Sequence, residues 1–207
     1  MNTQTFLKTF RGAAVALSVV LLALAPAMAA PPKSAAPLPS DSIYQLPLPL
    51  TDHQGKTRDW RTLRGKPRVV SMFYTSCAYI CPLIVDAGKA VDKQLTPAQR
   101  EQLGIVLVSM DPARDTPIAL KRIVDQRKLD DTRWLLASPP KNAVRGVAGV
   151  LGIKYRALED GEFNHTSALI LVDAEGRVLA RTEQVGTDLD PEFVAAVRKA
   201  ATPPKKK

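Results

Sequence analysis

Three stretches of the chain are apolar almost without a break at strand length: 68–74 (RVVSMFY), 105–110 (IVLVSM) and 134–137 (WLLA). A strand covered on one face alternates apolar and polar residues, whereas one covered on both faces reads as a continuous run, so all three are expected inside a sheet. Segments of helical spacing lie between and after them. From Pro82 to about Gln94 the apolar positions are Leu83, Val85, Ala87, Ala90 and Val91. Thr116-Pro117 opens a second helix, threonine as cap and proline at the first position, running to about Lys128 with Leu120, Ile123 and Val124 inward. Residues 141–151 read as a third helix ending near Gly152, and Asp190-Pro191 caps a last one with Phe193, Val194, Val197 and Ala200 on one face. Between these two, 167–172 and 177–181 are strands joined by the hairpin turn Asp173-Ala174-Glu175-Gly176. Ahead of the first run, Ile43, Leu46, Leu48 and Leu50 are separated by prolines and read as an edge strand or extended segment. Asp52-His53-Gln54-Gly55-Lys56 follows as a polar turn before a short strand, with His53 as an exposed turn residue.

Strands alternating with helices favour parallel pairing through crossovers, and a hairpin followed by a helix closes the pattern. The expected fold class is α/β: a thioredoxin-like mixed sheet flanked by helices, with a C-terminal β-hairpin and a closing helix. One domain over 42–201 accommodates every element, and no internal repeat is visible.

Composition narrows the chemistry. Of 207 residues 45% are apolar and 24% charged, the balance of a soluble globular chain. Cys77 and Cys81 are the only cysteines, too few for a disulfide scaffold or a four-cysteine zinc ribbon. His53 and His165 are the only histidines, so no site needing three imidazoles exists. Residues 1–29 read as a signal peptide: Lys8 and Arg11 precede an apolar run over 13–24, and Ala27-Met28-Ala29 supplies the small residues a signal peptidase reads. A run this short is a poor bilayer span, although an uncleaved leader would act as an anchor. Residues 30–41 form a Pro/Ala-rich spacer and 202–207 a basic disordered tail. The expected location is therefore outside the cytoplasm, in the periplasm. Export changes how the net charge of +9 is read: nucleic acid recedes, and an anionic membrane surface, an acidic partner or plain solubility remain. A monomer is expected.

The segment Thr75-Ser76-Cys77-Ala78-Tyr79-Ile80-Cys81-Pro82 stands at the carboxyl end of a buried strand and at the start of a helix, where open α/β sheets place their sites. The residue before a proline avoids helical dihedrals, so Cys81 is expected to cap the helix with Pro82 in its first turn. A thiol there sees the positive end of the helix dipole, which favours thiolate. Two such thiols either close a disulfide, serve as a redox pair, or converge on one metal ion. As a structural staple the pair is poor, because it closes a tiny loop. Two thiolates alone suit a soft ion such as Cu(I), and a third, nitrogen ligand extends the site to Cu(II). His165, in a loop before a strand, reads equally as such a ligand or as an ordinary loop histidine.

These residues resemble the Sco/SenC family of copper-binding, thioredoxin-like proteins. The strand-Thr-x-Cys-x-x-x-Cys-Pro segment, Leu63-Arg64-Gly65-Lys66-Pro67, Ser109-Met110-Asp111-Pro112-Ala113-Arg114-Asp115-Thr116-Pro117 and Asn164-His165-Thr166-Ser167 are similar to that family's segments and occur in its order, over roughly residues 46–200. The resemblance implies copper, as Cu(I) or Cu(II), bound by Cys77, Cys81 and His165. It implies a role in assembling the dinuclear copper centre of cytochrome c oxidase, with subunit II as client, by delivering metal or by keeping the acceptor thiols reduced. The alternative is a copper-independent thiol–disulfide oxidoreductase in which Cys77 and Cys81 are the redox pair. Asp111 and Arg114 read either as support for the site or as a salt bridge within a turn. Where many family members carry proline and an acidic residue after the first cysteine, this chain has Ala78 and Tyr79, which bears on client recognition.

Overall fold

The structure, a computed structural model, describes residues 37–77 and 79–203. The expected leader, most of the spacer, the tail from Pro204 onward and Ala78 lie outside the described residues. Among the described residues no helix is long and apolar enough to cross a membrane.

The three apolar runs become β3 (Arg68–Phe73), β4 (Gly104–Ser109) and β5 (Trp134–Ser138), paired in parallel. All six residues of β4 are buried, as its place in the middle of the sheet requires. β1 (Pro49–Asp52) runs antiparallel to β5 and carries β2 (Thr57–Asp59) at the edge. On the other side β8 (Leu169–Val172) runs antiparallel to β3, and β9 (Val178–Thr182) closes the hairpin. The sheet order is β2-β1-β5-β4-β3-β8-β9. A second, two-stranded ribbon, β6 (Tyr155–Ala157) with β7 (Phe163–His165), pairs only with itself.

The helices are α1 (Ile80–Lys93), α2 (Pro97–Gln102), α3 (Pro117–Gln126), α4 (Val144–Val150) and α5 (Pro191–Ala200). α1 packs on β3, α3 on β5 and β1, and α5 on β8 and β9. Thr116 and Asp190 cap α3 and α5 through their side chains, each with proline in the first turn, as their sequences predict.

Four expectations need correction. Residues 43–45 form a 3-10 turn, so the strand of this region starts only at Pro49, and β2 rather than β1 is the edge. His53 is not exposed: it is 4% accessible, because β1 is registered against β5, its N–H donates to the Leu136 carbonyl at 2.9 Å and its ring packs there too. Cys81 is not the cap of α1; Tyr79 is, and Cys81 and Pro82 already lie within the first turn. Proline is accommodated because the first N–H groups of a helix have no intrahelical acceptor. His165 ends a strand of the ribbon rather than sitting in a loop.

Candidate metal centre

The thiol half of the site is built on the end of β3. Cys77 and Cys81 are both buried and are not joined in a disulfide. The Tyr74 N–H donates to Cys81 Sγ at 3.3 Å. The turn between strand and helix is pinned by Asp115, a buried carboxylate absent from the sequence-based site. Its Oδ1 accepts the Thr75 N–H at 3.0 Å and the Thr75 hydroxyl at 2.5 Å, and its Oδ2 accepts the Ser109 hydroxyl at 2.5 Å. Burial raises the pKa of Asp115 against the lowering effect of those hydrogen bonds.

The helix dipole does not control Cys81. At 4% exposure, burial is the largest influence on its thiol and drives the pKa well above its ordinary value, with Cys77 adding to the rise and the Tyr74 N–H opposing it. The expected activation by the helix start is therefore outweighed by desolvation. A thiol of this kind is a poor nucleophile until something displaces its proton, and a bound soft metal ion does so.

His165 is the candidate for the other half. Its Nδ1 lies 3.2 Å from the Thr166 carbonyl, which can only accept, so Nδ1 carries the proton. Nε2 is then a lone-pair acceptor; it is buried and has no hydrogen-bond partner. Burial lowers the pKa of the ring, more than the Thr166 carbonyl raises it, which favours the neutral imidazole. A neutral ring oriented by a carbonyl at one nitrogen and bare at the other is the arrangement metal-binding histidines use.

Tyr74 connects the halves, and sequence reasoning missed it because it reads as the last residue of an apolar strand. Its ring meets His165 edge-on at 5.9 Å and Phe163 at 5.1 Å between centroids. Its hydroxyl donates to Glu162 Oε2 at 2.9 Å. Burial, then hydrogen bonding with Cys77 and Glu162, holds the phenol above its ordinary pKa. The thiols line a cavity of about 150 Å³ that also takes in Tyr74, whereas His165 lines a separate open groove with Lys154 and Arg156. Thiols and imidazole are thus on the same side of the molecule, with one aromatic side chain between them. Among the described residues no three His, Cys, Asp or Glu side chains are spaced to hold an ion.

Asp111 and Arg114 form an ion pair, and the Arg114 guanidinium also donates to the Gly161 carbonyl in the turn of the ribbon. They act on the ribbon, not directly on the thiols. Tyr79 is 87% exposed.

Comparison with known proteins follows the same outline. The SCO1 protein homolog of Bacillus subtilis is 23% identical over 159 residues, 75% of this chain and 82% of its own. ScoI of Bradyrhizobium japonicum, solved with copper bound, is 25% identical, superposes with a TM-score of 0.61 and covers 75% of this chain and 98% of its own. A SCO1/SenC family lipoprotein from Bacillus anthracis shares the fold at 21% identity and a TM-score of 0.66, over 76% of this chain and 94% of its own. Other curated relatives are covered less: 36% of one from Stutzerimonas stutzeri and 64% of the SCO2-like protein of Rickettsia felis. The SCO1/SenC family profile matches residues 38–202, nearly all of the described domain, and on that match the chain belongs to the SCO1/SenC family.

Proposed function

We propose that this protein is an exported, periplasmic copper chaperone that binds one copper through Cys77, Cys81 and His165 and assists assembly of the dinuclear copper centre of cytochrome c oxidase, with subunit II as client. The observation that carries the reading is the buried, unpartnered Nε2 of a neutral His165, one tyrosine away from two reduced thiols. The donor set fits copper: thiolates favour Cu(I), and an imidazole nitrogen makes room for Cu(II). The copper-bound state of the Bradyrhizobium japonicum relative supports the same cargo. Copper is held and handed on as cargo, by exchange of its thiolate ligands for those of the acceptor. Tyr74 touches the His165 ring and also lines the thiol cavity, so it links the two donor sets. The exposed Tyr79 offers the client an aromatic contact.

Titration of the anaerobically reduced protein tests this. One copper per chain is expected, with thiolate-to-Cu(II) absorption, and His165→Ala weakens Cu(II) more than Cu(I). Equal loss of both, or no loss, removes His165 from the site, and absence of the absorption band overturns the chaperone reading. The alternative reading is a copper-independent thiol–disulfide reductase using Cys77 and Cys81. Client-disulfide turnover that proceeds without copper, at full rate in His165→Ala, would establish it instead.

A further inference from the structure

The stretch Leu63-Arg64-Gly65-Lys66-Pro67 has no place in the thiol site, because it leads into the opposite end of β3. Since β3, β4 and β5 are parallel, Arg68, Gly104 and Trp134 begin them at one pole, while Cys77 follows β3 at the other. At the first pole a cavity of about 300 Å³ is lined by four cationic side chains, Arg58, Lys66, Arg68 and Arg133, and by the carboxylates of Asp52 and Asp131.

Much of this charge is already committed. Asp52 Oδ1 accepts the N–H groups of Gln54 and Lys56, both at 2.9 Å, and its Oδ2 takes Arg58 Nη2 at 2.5 Å. Arg133 reaches Asp92 with two nitrogens, at 2.7 and 3.0 Å, and Asp130 with Nε at 2.9 Å. The remainder is cationic, with Asp131 as the single carboxylate against it. Arg58 Nε is buried without a hydrogen-bond partner. Among the described residues no carboxylate lies within ion-pair distance of Lys66, which is half-buried. Burial, then the charges of Arg68 and Arg133, depress its pKa.

The position of Arg68 is specifically provided for. Its Nε donates to the Leu63 carbonyl at 2.7 Å, and its guanidinium lies where a Cβ on Gly104 would come within 2.3 Å of Nη1. Only a residue without a side chain at 104 leaves that space. Like charges drawn together partly out of water, with the Arg58 Nε–H unspent, are what an oxyanion relieves.

We propose that this cavity binds a phosphoryl oxyanion, either orthophosphate or the phosphate of a lipid headgroup, through Lys66, Arg58 and Arg68. Binding is independent of copper, because the two sites occupy opposite poles of the sheet.

The purified full chain is titrated with orthophosphate at low ionic strength, with sodium chloride as control, following backbone amide shifts. Saturable binding that shifts the amides of Gly65, Arg68 and Trp134 is expected. Lys66→Met weakens it about tenfold, the loss of one charge-assisted contact. Lys66→Arg restores it, Lys121→Met leaves it intact, and copper stoichiometry is unchanged in all three. In a second arm the protein is sedimented with phosphatidylcholine vesicles with and without phosphatidylglycerol. Retention on the anionic vesicles, lost in Lys66→Met, supports the proposal and identifies the headgroup as the source. Phosphate binding without such retention supports it and identifies the free anion. Shifts that chloride reproduces, or phosphate binding unaltered in Lys66→Met, overturn it.

Discussion

The two halves of the proposed copper site are held by different means. Cys77 and Cys81 follow a central strand of the seven-stranded sheet, with Asp115 tying the turn at Thr75 to Ser109 at the end of β4. His165 grows out of a two-stranded ribbon that belongs to no larger sheet. Its attachments are side-chain contacts: the Tyr74 ring on Phe163 and His165, the Tyr74 hydroxyl on Glu162, and Arg114 on Gly161. A two-stranded ribbon is marginal alone, so these contacts decide its position. The proposed carrier role asks a site both to hold its cargo and to let it go, and a fixed thiol half beside a lightly held imidazole half suits both.

This contrast can be broken at several points. Replacing either thiol, Cys77→Ser or Cys81→Ser, has the largest effect: copper retention on a desalting column and the thiolate absorption both disappear. Tyr74→Ala comes next. Losing a buried aromatic destabilises the domain by about 3 kcal/mol in urea unfolding. Native-state hydrogen exchange then shows the amides of Phe163 and His165 deprotected far more than those of β4. Asp115→Asn strikes the other half, since an amide cannot accept at both of the positions that the two carboxylate oxygens fill. A loss of about 2 kcal/mol is expected, with exchange increased at Thr75 and unchanged in the ribbon. Glu162→Gln is the mildest. It trades a charged acceptor for a neutral one, costs under about 1 kcal/mol, and raises exchange at Phe163 severalfold with no change at Thr75. Equal deprotection of both halves in the Tyr74 or Glu162 variants would show that the ribbon is not a separately held unit.

What the sequence made readable follows the same division. Buried parallel strands leave continuous apolar runs, and helix starts leave Thr-Pro and Asp-Pro pairs, so the sheet and the location of the cysteines could be read directly. The ribbon could not be, because its strands are three residues long, partly exposed and mixed in polarity, like any loop. His53 shows the converse failure: a polar turn reads as exposed, and only the pairing of β1 with β5 covers it. Asp115 lies in the 109–117 stretch that carries the resemblance, but its burial depends on three segments meeting. The Cys81 thiol was read from the helix dipole alone, and its surroundings reverse the sign.

Ser42 and Ile43 are buttoned onto the β8–β9 bend: the Ser42 hydroxyl donates to the Glu175 carbonyl at 2.5 Å and the Ile43 N–H to the Gly176 carbonyl at 2.9 Å. Gly176, at φ +85°, leaves room there for Tyr44 and Ser42, whose atoms a Cβ would meet at 2.5 and 2.6 Å. Because Val172 is registered against Arg68, that fastening sits at the far end of β3 from the sulfurs. Residues 37–41 therefore enter the domain at the pole opposite the sulfurs.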